Sequence, residues 1–206
     1  MFALVDKSDN SITTMLSGNK GITIGDNQYP KAIFYLWSEA ERNAINIYTV
    51  TIDESKKKNE QWYINTNMTY SFDGTNAKGA YGDATARKHA DTKWTQEEID
   101  DDKAPEGADT DTVKDEGLKT VLIRQVKSLA AFELAKTDWY ITRKTEKNTA
   151  IPSAITTHRD AVRSKQAAME TAITNASDTP ALETLYTYTR QEDGSVTRPL
   201  GELPTL

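Results

Sequence analysis

Between Leu118 and Ala176 apolar residues recur at helical spacing, and this is the cleanest pattern in the chain. Leu118, Val121, Leu122, Val126, Leu129 and Phe132 fall in a stripe roughly 140° wide, which predicts a helix packed along one face. Lys119, Arg124, Lys127 and Ser128 take the other side, while Gln125 and Glu133 intrude at the edge of the stripe. Gly117 marks the boundary before it. Lys136-Thr137-Asp138-Trp139 reads as a stop and restart, with Thr137 or Asp138 accepting from the free amides of the next helix. Trp139, Tyr140 and Ile141 then form an apolar anchor, and Lys144 and Lys147 suit the end of that short helix. A third helix starts at Pro152, a residue without the amide that a helix start leaves unpaired. Ile155, Val162, Met169 and Ala176 repeat at intervals of seven, flanked by Ile151, His158 and Ile173. Asp178-Thr179-Pro180 stops it. Long, short and long helix fold back as a small hairpin or bundle.

The N-terminal part is patterned for strands. Met1–Val5 and Ser11–Leu16 flank a turn of Asp-Lys-Ser-Asp-Asn, and Ile22-Thr23-Ile24 follows as a short strand. Ala32, Ile33, Phe34, Leu36 and Trp37 make a compact apolar patch. Ser38-Glu39-Ala40-Glu41 has the spacing of a capping box and predicts a brief helix to about Asn43. Ile45–Ile52 alternates with apolar residues on both faces, as in a strand covered on both sides. Gln61–Asn65 and Met68–Phe72 are further strands, whereas Thr75–Thr92 is weakly patterned and expected as a loop or irregular strand. Near the C-terminus, Leu182, Leu185 and Tyr186 suggest a last helical turn. Glu192-Asp193-Gly194 between two Thr-containing runs signals a hairpin, and Pro199–Pro204 an extended tail.

Charge divides the chain. Thr95–Glu116 carries ten acids against Lys103 and Lys114, a composition expected of a linker. Leu118–Ala176 has ten Lys and Arg against five acids, about +5, so the acidic stretch could lie against it or against a neighbour's copy. The expected class is α+β: a β-rich docking domain (1–94), an acidic linker (95–117), a helical domain (118–180) and a C-terminal hairpin with tail (181–206). A net charge of −6 argues against a general nucleic-acid binder. Absence of cysteine removes disulfides and thiolate metal sites, and no apolar run is long enough for a membrane span. The first residues lack the pattern of a signal peptide.

No catalytic constellation emerges. His89 and His158 lie 69 residues apart without metal-ligand partners at motif spacing. Gly-x-Ser-x-Gly is missing, and Gly74, Gly79 and Gly82 lack the Lys-Ser/Thr ending of a phosphate loop. Asp109-x-Asp111 begins like a calcium loop but fails at Val113, and Asp100-Asp101-Asp102 reads as a solvated charge run. Trp62, Tyr63, Tyr70, Phe72 and Tyr81 fit the core of a small β-domain better than a carbohydrate contact. No cofactor is expected.

Thr137-Asp138-Trp139, then Ile151-Pro152, then Thr157-His158-Arg159-Asp160-Ala161-Val162-Arg163 resembles the C-terminal helical domain of many tailed-bacteriophage tail-fibre and tail-fibre-assembly proteins. The family more often has tyrosine at His158, and a tryptophan near Ala154 and Ile155. Tyr29-Pro30, Leu36-Trp37-Ser38-Glu39, Glu41-Arg42 and Ile47-Tyr48 loosely resemble small N-terminal domains of phage tail proteins. The resemblance implies a noncatalytic virion component at a tail fibre or baseplate junction, docked to other tail or fibre proteins in a symmetric multicopy assembly. Its location would be the virion tail, and the host cytoplasm during assembly. A fibre-assembly chaperone absent from the particle, a capsid decoration protein and a tail-borne polysaccharide-degrading enzyme are the rivals. Trp37, Trp139, Tyr140, His158, Arg159, Arg163 and Asp100–Asp102 are the candidate packing or interaction residues.

Overall fold

The computed structural model describes residues 1–206, which divide into two compact units, Met1–Thr85 and Ala86–Leu206. The class is α+β.

The first unit is built on a five-stranded mixed sheet. Strands β1 (Phe2–Asp6) and β2 (Ser11–Leu16) form the expected antiparallel hairpin. Strands β3 (Ile22–Ile24) and β4 (Asn27–Tyr29) form a small ribbon. Helix α1 (Ile33–Leu36) and helix α2 (Glu39–Ala44) follow. Ser38 and Glu41 close the capping box in both directions, so α2 starts where its sequence specifies. Strand β5 (Ile47–Asp53) pairs with β1, then come β6 (Tyr63–Ile64), β7 (Thr69–Phe72) and β8 (Ala77–Ala80). The order is β2-β1-β5-β8-β7, with β8 parallel to β5 and antiparallel to β7.

Period-two alternation splits the apolar residues between the two faces of this sheet. Ala3, Val5, Tyr48, Val50, Phe72 and Ala77 make one cluster. Ile33, Phe34 and Ile47 make the other, with Phe2, Leu4 and Trp37 packed on it. Trp37 meets Tyr29 edge-to-face at 5.9 Å, so it is a packing residue. Trp62, Tyr63 and Phe72 are buried, as the core reading of these aromatics requires.

One expectation is met in part and another fails here. Residues 75–92 are not loop throughout: short strands interrupt the irregular chain, and Ala77-Lys78-Gly79-Ala80 is an inner strand of the sheet. Its small residues are imposed by packing: a Cβ on Gly79 would lie 2.7 Å from Met68 Sδ and 2.8 Å from Tyr70 Cε1. Nor is 95–117 a free linker between units. A short strand β9 (Thr85–Ala86) lies at the division, and β10 (Thr92–Lys93) already belongs to the second unit. The segment then forms helix α3 (Gln96–Asp100), capped by Thr95 and Glu98, and strand β11 (Val113–Asp115), which pairs back onto β10. Lys114–Glu98, Lys93–Asp111 and Lys103–Asp101 ion pairs offset part of its charge.

Helix α4 (Leu118–Ala135), helix α5 (Asp138–Lys147) and helix α6 (Ser153–Asn175) give the expected long-short-long order. α4 and α6 run antiparallel, with Lys119 Nζ donating to Thr174 O near one end and Arg159 to Leu134 O near the other. The heptad Ile155, Val162, Met169 and Ala176 is buried throughout. On α4 the buried line is Leu122, Val126, Ala130 and Glu133, so the predicted stripe is turned by part of its width. Leu129 and Phe132 are exposed at 55% and 65%, because one facing helix covers only half of that apolar arc.

The start of α4 explains why residues 86–94 fold with the helices. Leu118 N and Lys119 N donate to the carbonyls of Lys88 and His89. Gly117 N and Thr120 Oγ1 both donate to the Asp91 carboxylate, which holds its pKa below the usual range. Three helix-start amides and one side-chain hydroxyl are thereby satisfied by one passing segment. Helix α7 (Thr179–Tyr186) is capped by Asp178 and followed by a ribbon of β12 (Thr189–Arg190) and β13 (Val196–Thr197). The tail packs back: Leu200 is buried and donates its amide to Leu185 O.

A Cβ on Gly117 would lie 2.2 Å from the Ala90 carbonyl carbon, which is backbone and cannot swing aside. Gly117→Ala should therefore cost about 1–3 kcal/mol. An unchanged urea midpoint would place the strain elsewhere. The Lys114 ammonium, with the Thr95 amide behind it, holds Glu98 down to about 2 from 4.5. This stabilisation is complete above 4.5 and is lost as pH falls towards 2. The Thr95 and Lys114 amide resonances should accordingly shift with an NMR midpoint near 2, not 4.5.

Candidate functional site

The residues of the Thr-Asp-Trp and His-Arg motifs meet at the corner between α4 and α5. Arg159, on α6, is 8% exposed. Its Nη1 donates to Leu134 O at 2.8 Å, Thr137 Oγ1 at 2.7 Å and Asp138 Oδ1 at 2.8 Å. Thr137 is fully buried and donates its own hydroxyl to Leu134 O at 2.9 Å. The Leu134 carbonyl lies in the last turn of α4, where it also accepts from the Thr137 amide, so the cation meets the negative end of the helix dipole as well as a carboxylate.

This corrects the expected role of the corner. Thr137 and Asp138 make no side-chain cap on α5; their oxygens are taken by the guanidinium. Trp139 is not an apolar anchor either. It is 51% exposed, Ile141 is 41% exposed, and α5 buries no residue. A polar knot behind the helix holds it in place of a core contact.

What α5 displays is an aromatic pair with a cation on it. The Trp139 and Tyr140 ring centroids are 3.7 Å apart. The Arg143 guanidinium sits 4.8 Å from the Trp139 centroid and 5.3 Å from that of Tyr140. Its Nε is shielded and has no hydrogen-bond partner, so ring contacts and not acceptors hold the group. Lys144 and Lys147 in the last turn, with Glu146 beside them, leave this end with a net positive charge. Arg143 was not singled out in the sequence, although its spacing of four and three residues from the two rings is the signal for such a stack.

The other candidate residues stay apart from this corner. His158 is half-buried at the helix edge, with a shielded Nε2 that has no partner. Arg163 is exposed and reaches only Asp160, at 3.4 Å. Asp100, Asp101 and Asp102 are exposed on the acidic excursion. Asp101 pairs with Lys103 and Asp100 accepts from Gln96. No group of three or more His, Asp or Glu side chains has the arrangement of a metal site. In the first unit a cleft of about 570 Å³ is lined by Leu4, Met15, Leu16, Ile22 and Phe34, with Lys20 as its charged residue. No carboxylate or imidazole faces into it, so it offers no acid–base pair. No helix is long and apolar enough to cross a membrane.

A clasp near the C-terminus was also not foreseen. The Arg198 guanidinium lies 5.2 Å from the Tyr186 ring and 5.1 Å from that of Tyr188, and Tyr188 Oη donates to Glu202 at 2.6 Å. Burial pushes the Tyr186 pKa up.

No family model, no curated protein and no solved structure matches the chain.

Arg159→Ala removes three charge-assisted hydrogen bonds at the corner, to the Leu134 carbonyl, the Thr137 hydroxyl and Asp138, and should cost about 2–4 kcal/mol. Trp139→Ala, on an exposed ring, should change stability by less than about 1 kcal/mol. Equal losses of thermal stability for the two variants would restore Trp139 as the anchor.

Proposed function

We propose that this chain is a noncatalytic structural component of a tailed-phage virion, at a tail fibre or baseplate junction, working by protein–protein docking. The observation that carries the reading is α5. This ten-residue helix is fixed from behind by a buried arginine, yet it fully buries no side chain of its own and presents Trp139, Ile141, Lys144 and Lys147 outward. Exposed aromatics with arginine are what protein interfaces are enriched in.

The sequence resemblance supports the phage setting. The residues that carry it, Thr137, Asp138 and Arg159, form one bonded constellation and are not scattered matches. Two separate compact units suit a protein that joins two partners. The cleft in the first unit, without acid–base groups, supports docking over glycan cleavage.

Mass spectrometry of purified virions with copy number tests the reading. The expected result is a fixed stoichiometry in a small multiple of three or six. Absence from virions with abundance in infected lysate makes the protein an assembly chaperone. Hundreds of copies per particle place it on the capsid.

A further inference from the structure

We propose that α5 docks onto the acidic 95–117 excursion of a second copy of this chain, giving a head-to-tail contact. The inference deepens the docking reading above by naming one partner surface, and it can fail separately from the phage setting.

Internal pairing leaves both surfaces uncompensated. On the excursion, Glu97, Asp102 and Glu106 have no cation partner, and Asp100 has only the Gln96 amide. On α5, Arg143, Lys144 and Lys147 have no carboxylate partner. No ion pair joins the two surfaces within one chain.

The helix between them keeps them apart. The excursion is tied to the start of α4 through Gly117, Asp91 and Ala90. α5 begins just beyond the other end of α4, at the Arg159 corner. Eighteen residues of α4 span about 27 Å. A second copy shifted along that axis brings opposite charges together. The contact uses a different patch on each partner, so repetition closes a ring or extends a filament.

The same charges disfavour the other ligands of an aromatic, basic helix. An anionic membrane or nucleic acid that met α5 would also meet a chain of net charge −6 carrying a ten-acid segment. A second copy instead presents its acidic excursion to α5, so its ten-acid segment attracts where on the same chain it would repel. The Arg143 group is already stacked on Trp139 and Tyr140, so ordering it on contact costs little.

Sedimentation equilibrium of the full chain tests the proposal. Wild type should rise above its 23.0 kDa monomer mass with concentration at low salt, and fall back towards it in about 0.5 M salt. Arg143→Glu with Lys144→Glu and Lys147→Glu, or Asp100→Lys with Glu106→Lys, should each weaken association about tenfold or more. Mixing the two variants should restore it as an assembly holding them in one-to-one ratio, which simple misfolding cannot do. If the glutamate variant loses its circular dichroism melt, the three glutamine substitutions take its place. A wild type that stays monomeric, association indifferent to both sets, or a mixture that does not associate overturns the proposal. So does binding to phosphatidylserine vesicles or duplex DNA in place of self-association. Association by a protein absent from virions refutes the virion placement alone; a monomer found in virions refutes this contact alone.

Discussion

Arg159 is the group on which the helical unit turns. Burying a guanidinium is costly unless it is paired and hydrogen-bonded. Here a main-chain carbonyl, a threonine hydroxyl and a carboxylate converge on one nitrogen. Because these acceptors come from the end of α4, the joint and the start of α5, one side chain of α6 fixes the path of three helices. The carboxylate is the exposed member, at 60%, and the two neutral oxygens provide the buried part of the cradle. α5 is therefore positioned without surrendering its aromatic face to a core.

A second constraint is the closeness of Gly117 to Ala90. It lets the passing 88–91 segment reach the first amides of α4, and it brings the two ends of the acidic excursion together. The β10–β11 pairing continues that closure. Ten carboxylates on a segment closed at its base repel one another less effectively into disorder than on a free chain, because the loop entropy is already reduced. Thr95 and Glu98 cap α3 with the same reciprocal bonds that Ser38 and Glu41 use on α2.

That last comparison shows what the sequence disclosed and what it hid. Both capping boxes are written in the same way, yet only the Ser38 box is legible beside an apolar run; around Thr95 the charge composition masks it. Charge density reports exposure to water, and a hairpin pinned at its base can be wholly exposed. The heptad of α6 was legible because one helix covers one face along its whole length. The register of α4 was not, because its apolar arc is wider than a single neighbour can cover, and periodicity cannot say which half is used. Strand β8 escaped because Ala-Lys-Gly-Ala has no branched residue, its smallness being set by Met68 and Tyr70 from the neighbouring strand region. At the corner the residues were legible one by one, but the bond from Arg159 to Thr137 spans 22 positions and follows only from helix packing.

The exposed stripe on α4 and the bare surface of α5 have different standing for the same reason. Leu129 and Phe132 are what remains when a two-helix hairpin covers part of an apolar helix, and a scattering of such residues is normal on a protein surface. α5 has no core role that would leave a remainder. Its rings contact each other and a cation that lacks acceptors, and its anchoring is done by atoms behind it. A helix held rigidly by one side and bare on the other has already lost the freedom that docking removes, so more of each contact made there appears as affinity. The docking proposal therefore rests on α5 and not on the larger apolar area of α4.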